Sequence, residues 1–128
     1  MPTASLRQAK SSGKLELFRA SWIADYPDAE NYLSLFNSIN FSPRGPNYTH
    51  YKNLNFDKMY KNSLVIISDS LRFKKYKQMD SLAFSDFPII PLYYDQVVRF
   101  VQKDIEGMEI NPINLLVLKN VKKISARN

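Results

Sequence analysis

The chain has 128 residues, of which 45% are hydrophobic and 13% aromatic, and its formal net charge is +6. This length is typical of one domain, and the apolar content is enough to form an ordinary core, which argues against intrinsic disorder. There is no cysteine and a single histidine, His50. Disulfides, thiolate metal sites, cysteine nucleophiles and sites that need two imidazoles are therefore excluded.

No apolar run approaches the roughly 20 residues that a membrane span requires. The longest apolar runs, 64–67 and 113–118, have the length of strands. The first seven residues lack the apolar segment of a signal peptide. We therefore expect either a cytoplasmic protein or one whose leader is not part of this sequence.

The positive charge allows a nucleic-acid interpretation, but lysines on helices more often form a solvated face. No recognised nucleic-acid motif accompanies them, and we expect no nucleic-acid partner. The lysines lie mainly in Lys58–Lys61, Arg72–Lys77 and Lys119–Lys123.

The first half of the chain predicts a helix, a strand, a second helix and a long loop. Thr3 can cap a helix through Lys10, which Ser12 and Gly13 would end. Leu15–Trp22 has strand character. A helix is expected from Pro27, with an apolar stripe at Tyr32, Leu33, Leu35 and Phe36, followed by a surface loop from Asn37 to Asn55.

The second half predicts two helices and then a group of strands. Asn55 can cap a helix over 56–64, and Asp69 can cap a helix over 70–84. Strands are expected at 89–94, 97–102 and 115–121. This order predicts a single α/β domain over 1–128 with a mixed sheet, from which some partner strands are missing.

Several motifs resemble those of the peptide/nickel-type solute-binding proteins of ABC transporters (family 5, which includes oligopeptide- and dipeptide-binding members). In that family a strand commonly ends in tryptophan and is followed by an acidic turn and a helix. A proline often follows this turn, where Ala29 stands here. The stretches that carry the resemblance are Phe18–Leu33, Asn47 with Tyr51, Asn55–Asp57, Arg72 with Tyr76 and Met79, and Asp86–Tyr94.

This resemblance implies a receptor with two lobes that close on a ligand, of which residues 1–128 would be the C-terminal quarter, mostly from the second lobe. The implied function is peptide import without catalysis, in the periplasm or cell envelope. The full-length parent would deliver its ligand to an inner-membrane ABC permease. Whether the parent carries a lipid anchor, which peptide or solute it prefers, and whether this fragment forms a homo-oligomer stay open.

Asp25 is the first candidate for ligand binding. In peptide-binding members the aspartate after the strand tryptophan pairs with the α-ammonium group of the ligand, and Trp22-Ile23-Ala24-Asp25 resembles that pattern. A carboxylate in a closed, partly dry cleft makes a strong charge-assisted hydrogen bond to an ammonium group. The residue types alone favour a structural role, in which Asp25 caps the helix that follows Pro27 or holds the turn, and the resemblance reverses this preference.

Four other residues are ligand-binding candidates. Trp22 can form an apolar cleft wall or belong to the core. Arg19 resembles an arginine that meets the carboxylate of a peptide, but a plain strand arginine is an equal alternative. Asn47 and Tyr51 can contact ligand or stabilise the loop, and the stabilising role is favoured.

An enzymatic function is disfavoured by the residue pattern. Asp25, Asp28 and Glu30 could pose as paired carboxylates, but Asp28 and Glu30 point in different directions on a helix. The chain has three glycines and shows no phosphate loop and no nucleophile–base pair. We therefore expect no catalytic residue, no metal and no cofactor, and the alternatives to a receptor are a basic interaction module or a remnant without function.

Overall fold

The computed structural model describes residues 2–111 and 113–124. The chain divides into two units, the first ending at Pro91 and the second beginning at Leu92. The described helices are α1 (Thr3–Ser11), α2 (Glu30–Leu33), α3 (Leu54–Ser63) and α4 (Asp69–Ser85), with 3₁₀ turns at Ser34–Phe36 and Ser38–Asn40 and strands β1 (Ile105–Glu106) and β2 (Lys122–Lys123).

The three longest helices, α1, α3 and α4, occur where the sequence predicts them, but their caps differ. Helix α3 is capped by Asn53, whose side-chain oxygen accepts the N–H groups of Asn55 and Phe56 at 2.9 and 3.2 Å. The predicted cap, Asn55, lies inside the helix. Asp69 is likewise the first residue of α4 rather than its cap, and Ser68 occupies the cap position.

The helix expected from Pro27 begins later, at Glu30, and continues as a 3₁₀ turn. The side chain of Asp28 explains the delay, because its Oδ1 accepts the backbone N–H of Glu30 at 2.9 Å. This bond between a side chain and the backbone two residues later is an Asx turn, which competes with the first helical turn.

The core of the first unit forms where α3 and α4 pack against α2 and the 3₁₀ turn that follows it. Phe56 and Met79 are completely buried. The ring of Phe56 lies edge-on to Phe36 and Tyr51, with centroids 6.1 and 5.9 Å apart, the arrangement that aromatic quadrupoles favour. The buried hydrophobic residues are Leu33, Phe36, Phe56, Tyr60, Tyr76, Met79 and Ala83.

The segment predicted as a surface loop after Asn37 is partly internal. Ser42 and Asn47 are buried, and Phe41 and Asn47 form an isolated β-bridge. His50, expected to be exposed, is half-buried: its Nε2 lies 3.0 Å from the Ser42 carbonyl, and its ring stacks on Phe41.

The predicted strands at 15–22, 89–94, 97–102 and 115–121 are wrong for the described structure, because none of these segments pairs in a ladder. The sheet that the described residues form is the two-stranded antiparallel β1–β2 ladder, with Ile105 opposite Lys123. A strand is stable only when its N–H and C=O groups pair with a neighbour. The observed class is therefore helices with a small antiparallel sheet, compatible with part of an α/β fold.

None of the described residues of the second unit is buried. Its exposed side chains include large apolar ones such as Tyr94, Phe100 and Ile110, each more than 90% exposed. Among the described residues, no helix is both long enough and apolar enough to cross a membrane.

Candidate functional site

Asp25 lies on the surface of a turn that links residue 22 to helix α2. Its side chain is exposed and makes no hydrogen bond or ion pair with the described part of the chain. It belongs to residues 22–31, which we name the acidic turn, where Trp22 is bonded to Asn31 and Tyr26 to Glu30. The carboxylate of Asp25 is therefore exposed on a turn in which neighbouring side chains are hydrogen-bonded.

Trp22 is held by a buried amide. Its indole Nε1–H donates to the Oδ1 of Asn31 at 2.6 Å, and Asn31 is only 2% exposed. The ring of Trp22 is half-buried, so part of its surface remains accessible. This geometry allows Trp22 to serve both as packing for the turn and as an apolar surface beside Asp25.

Glu30 joins the acidic turn to helix α3. One of its carboxylate oxygens accepts the hydroxyl of Tyr26, and the other accepts the hydroxyl of Tyr60. Burial, followed by the hydrogen bond to Glu30, raises the pKa of Tyr26 to about 12. The same two causes raise the pKa of Tyr60 well above its ordinary range.

Asp28 fastens the turn to helix α4. Its Oδ2 lies 3.3 Å from a guanidinium nitrogen of Arg72, which also contacts Asp69 at 2.9 Å. Tyr76 lies one helical turn after Arg72. Burial, followed by the charge of Asp28, raises the pKa of Tyr76 to about 12. Asp28 is therefore engaged in structural contacts.

Asn47 has the geometry of a loop organiser. It is completely buried, and its amide nitrogen donates to the carbonyls of Asn37 and Tyr51 at 3.1 and 2.9 Å. Its Oδ1 accepts from the Thr49 hydroxyl and the Tyr51 N–H at 3.0 and 3.2 Å. These four bonds use the whole capacity of an asparagine side chain, which supports the stabilising role that the sequence favours.

Tyr51 connects this loop to the end of α4. Its hydroxyl donates to Asp86 at 2.6 Å, and Asn53 donates to the same carboxylate oxygen at 2.8 Å. These two bonds hold the pKa of Asp86 below its ordinary value. Burial and the bond to Asp86 raise the pKa of Tyr51 well above its ordinary range.

Arg19 lies on the wall of an open groove beside helix α1, with a volume of about 480 Å³. The Lys10 ammonium is 4.5 Å from the centre of the Tyr48 ring, a cation–π distance. Besides Arg19, the groove is lined by Leu6, Leu15, Leu17 and Phe18 with Thr3, Arg7 and Lys10.

Two groups of sequence-predicted residues are found on the first unit, and Arg19 lies on the groove beside α1. Trp22 belongs to the acidic turn that carries Asp25, whereas Asn47 and Tyr51 are bonded to each other. No hydrogen bond or ring contact joins these two groups within the described residues. Three or more histidines or acidic residues do not gather into a metal-binding group in the described ranges.

The sequence analysis missed Asn31, and it considered Glu30 only as a possible catalytic carboxylate. A faint signal exists for Asn31, because it precedes Leu35 by four positions and so falls on the apolar face of the predicted helix. A buried asparagine at such a position needs hydrogen-bond partners. The sequence does not reveal that one partner is the indole of Trp22.

The sequence matches no protein-family model. It is, however, similar to several curated proteins. It is 27% identical over 113 residues to the periplasmic oligopeptide-binding protein OppA of Salmonella typhimurium, covering 88% of this chain and 20% of the relative. It is 26% identical over 106 residues to the dipeptide-binding protein DppE of Bacillus subtilis, covering 83% of this chain and 19% of the relative.

These relatives confirm the resemblance to peptide-binding solute-binding proteins. The periplasmic murein peptide-binding protein MppA of Escherichia coli also matches, with 23% identity over 103 residues, covering 80% of this chain and 18% of the relative. The chain spans about a fifth of the length of the curated relatives it matches. The relatives are binding proteins, and two of these three are named as periplasmic.

Proposed function

We propose that this chain supplies part of the ligand-binding cleft of a receptor that captures peptides for an ABC importer, without catalysis. The proposal assigns residues 1–128 to the C-terminal part of such a receptor, mostly its second lobe. Its support is the run of relatives named for binding oligopeptides, dipeptides and murein peptide. A periplasmic location and a permease partner for the parent belong to the same proposal.

The observation that carries the proposal is the exposed carboxylate of Asp25 in a frame of bonded side chains. A peptide in water carries an α-ammonium group, which is the natural partner of such a carboxylate. Asp28 and Glu30, the other acids of the acidic turn, are already bonded to Arg72 and to two tyrosines. Asp25 is therefore the acid of this turn that is free to meet a cation.

The accessible surface of Trp22 adds an apolar contact beside this charge. A carboxylate together with an aromatic wall can hold the amino end of a peptide while making few demands on its side chains. Such recognition suits a receptor for varied peptides. We expect the chain alone to bind weakly, because a cleft with one wall leaves the ammonium–carboxylate pair in water, where it is screened.

The test is a titration of the ¹⁵N-labelled chain with tri-alanine, followed by NMR at the Trp22 indole and the Asp25 amide. We expect a dissociation constant in the millimolar range, roughly −3 to −4 kcal/mol of binding free energy. N-acetyl-tri-alanine, which lacks the ammonium group, should leave both signals unchanged. Asp25→Asn should abolish the shifts because it removes the charge and preserves the shape.

Glu109→Gln is the matched control, since it removes a negative charge from an exposed position in the other unit. This variant should bind tri-alanine as the unmodified chain does. Three results would overturn the proposal: no shift with tri-alanine, equal binding of the acetylated peptide, or unchanged binding by Asp25→Asn.

A further inference from the structure

The two flanks of Asp25 are held by two consecutive residues of helix α2. Trp22, three residues before Asp25, donates its indole N–H to Asn31 at 2.6 Å. Tyr26, the residue after Asp25, donates its hydroxyl to Glu30. Both flanks thus meet the start of one short helix.

We propose that Asn31 is a positioning residue for peptide binding, acting through Trp22, and that Glu30, acting through Tyr26, anchors this arrangement to the core. The proposal rests on the function proposed above and deepens it. Neither residue needs to touch the ligand. Their role is to fix the direction in which Asp25 and the ring of Trp22 face the cleft.

The orientation of the Asn31 amide follows from the chemistry of its partner. An indole N–H can only donate, so the atom that faces Trp22 is the carbonyl oxygen. Because Asn31 is buried, breaking this bond leaves a polar group without water to replace its partner.

Glu30 links the acidic turn to the core through its two hydrogen bonds. Its second oxygen accepts the hydroxyl of Tyr60, a buried residue of α3 that stacks on Phe56. A chain of bonded side chains therefore runs from Phe56 and Tyr60 through Glu30 to Tyr26, next to Asp25. A ligand-binding group that is fixed in advance loses less conformational entropy when it binds.

The experiment compares Asn31→Leu with Asn37→Leu in the tri-alanine titration. Asn37 is also buried and bonds to the backbone N–H of Ile39, so the chemical change is the same outside the acidic turn. We expect Asn31→Leu to weaken binding about fivefold, the factor that one hydrogen bond supplies. Asn37→Leu should keep the affinity of the unmodified chain within about twofold, because its bond lies outside the turn.

Trp22 is the only tryptophan of the chain, so its fluorescence reports on this arrangement without any ligand. We expect acrylamide to quench Asn31→Leu more strongly than the unmodified chain, because the freed indole moves into solvent. Asn31→Asp keeps an oxygen acceptor for the indole. Its quenching by acrylamide should therefore be as weak as in the unmodified chain, and most of the affinity for tri-alanine should return. Such rescue is not expected of a residue that only fills space.

The outcomes separate the two proposals. If the unmodified chain binds tri-alanine but Asn31→Leu binds equally well, the positioning role is overturned and the proposed function stands. If Asn37→Leu weakens binding as much as Asn31→Leu does, the effect is general destabilisation and the positioning role is again overturned. If the unmodified chain does not bind, the proposed function fails, and unchanged quenching in Asn31→Leu would also refute the contact with Trp22.

Discussion

The two units of the chain differ in what their apolar residues do. In the first unit, Phe56 and Met79 are completely buried and helices α3 and α4 are well formed. In the second unit, Tyr94 and Phe100 are almost fully exposed, and the regular structure described there is a ladder with two residues in each strand. Apolar side chains therefore become a core in one unit and stay on the surface in the other.

The difference between the units follows from how helices and strands satisfy their backbone hydrogen bonds. A helix satisfies its N–H and C=O groups within itself, so α3 and α4 form and then bury their apolar faces against each other. A strand depends on a neighbouring strand. The apolar segments of the second unit lack such neighbours among the described residues, which agrees with a chain that spans about a fifth of its relatives' length.

The largest expected effect comes from removing one aromatic ring in each unit. Phe56→Ala deletes a ring that contacts three other aromatic rings and should cost about 3 to 5 kcal/mol of the free energy of unfolding. Phe100→Ala, at a position that is 97% exposed, should change it by less than about 0.5 kcal/mol. Urea unfolding followed by circular dichroism measures both. Equal losses of unfolding free energy in the two variants would contradict the difference between the two units.

An alkaline transition of the first unit is the next effect. The pKa values of Tyr26 and Tyr76 are raised to about 12, so the folded state holds their protons more tightly than the unfolded state does. Stability should be unaffected below about pH 10, the ordinary tyrosine pKa, and should fall as the pH rises towards 12. Urea midpoints measured across this range would test it. Tyr76→Phe should flatten part of the decline, and an unchanged decline would show that Tyr76 does not contribute.

The smallest expected change in stability concerns the N-terminal cap of helix α3. Asn53→Ala removes the cap of α3 and the bond to Asp86, and we expect a loss of about 1 to 2 kcal/mol. Asn55→Ala, at the position that sequence alone names as the cap, should be neutral or slightly stabilising, because alanine is the better helix former by about 0.6 kcal/mol. Thermal unfolding of the two variants distinguishes them, and the opposite order would restore the sequence-based cap.

The candidate site was partly predictable because its motif is local. The order of tryptophan, acidic turn and helix predicts that Asp25 lies in a turn between Trp22 and a helix, and the structure has a bend at Asp25 and helix α2 after it. The stabilising interpretation of Asn47 was accessible for the same reason, since three of its four side-chain hydrogen bonds join it to residues within four positions along the chain. The partnership of Glu30 with Tyr60 joins residues 30 positions apart and has no local signal.

The sequence alone was sufficient to predict the long helices α1, α3 and α4 and the turn that carries Asp25. Both depend on contacts between residues a few positions apart, which composition and periodicity record. Only the tertiary structure decided that Asn53 caps α3, that the segments 15–22 and 89–94 have no strand partner, and that Asn31 and Glu30 hold the flanks of Asp25. Each of these depends on which distant groups can satisfy a hydrogen bond, and that is fixed when the chain folds.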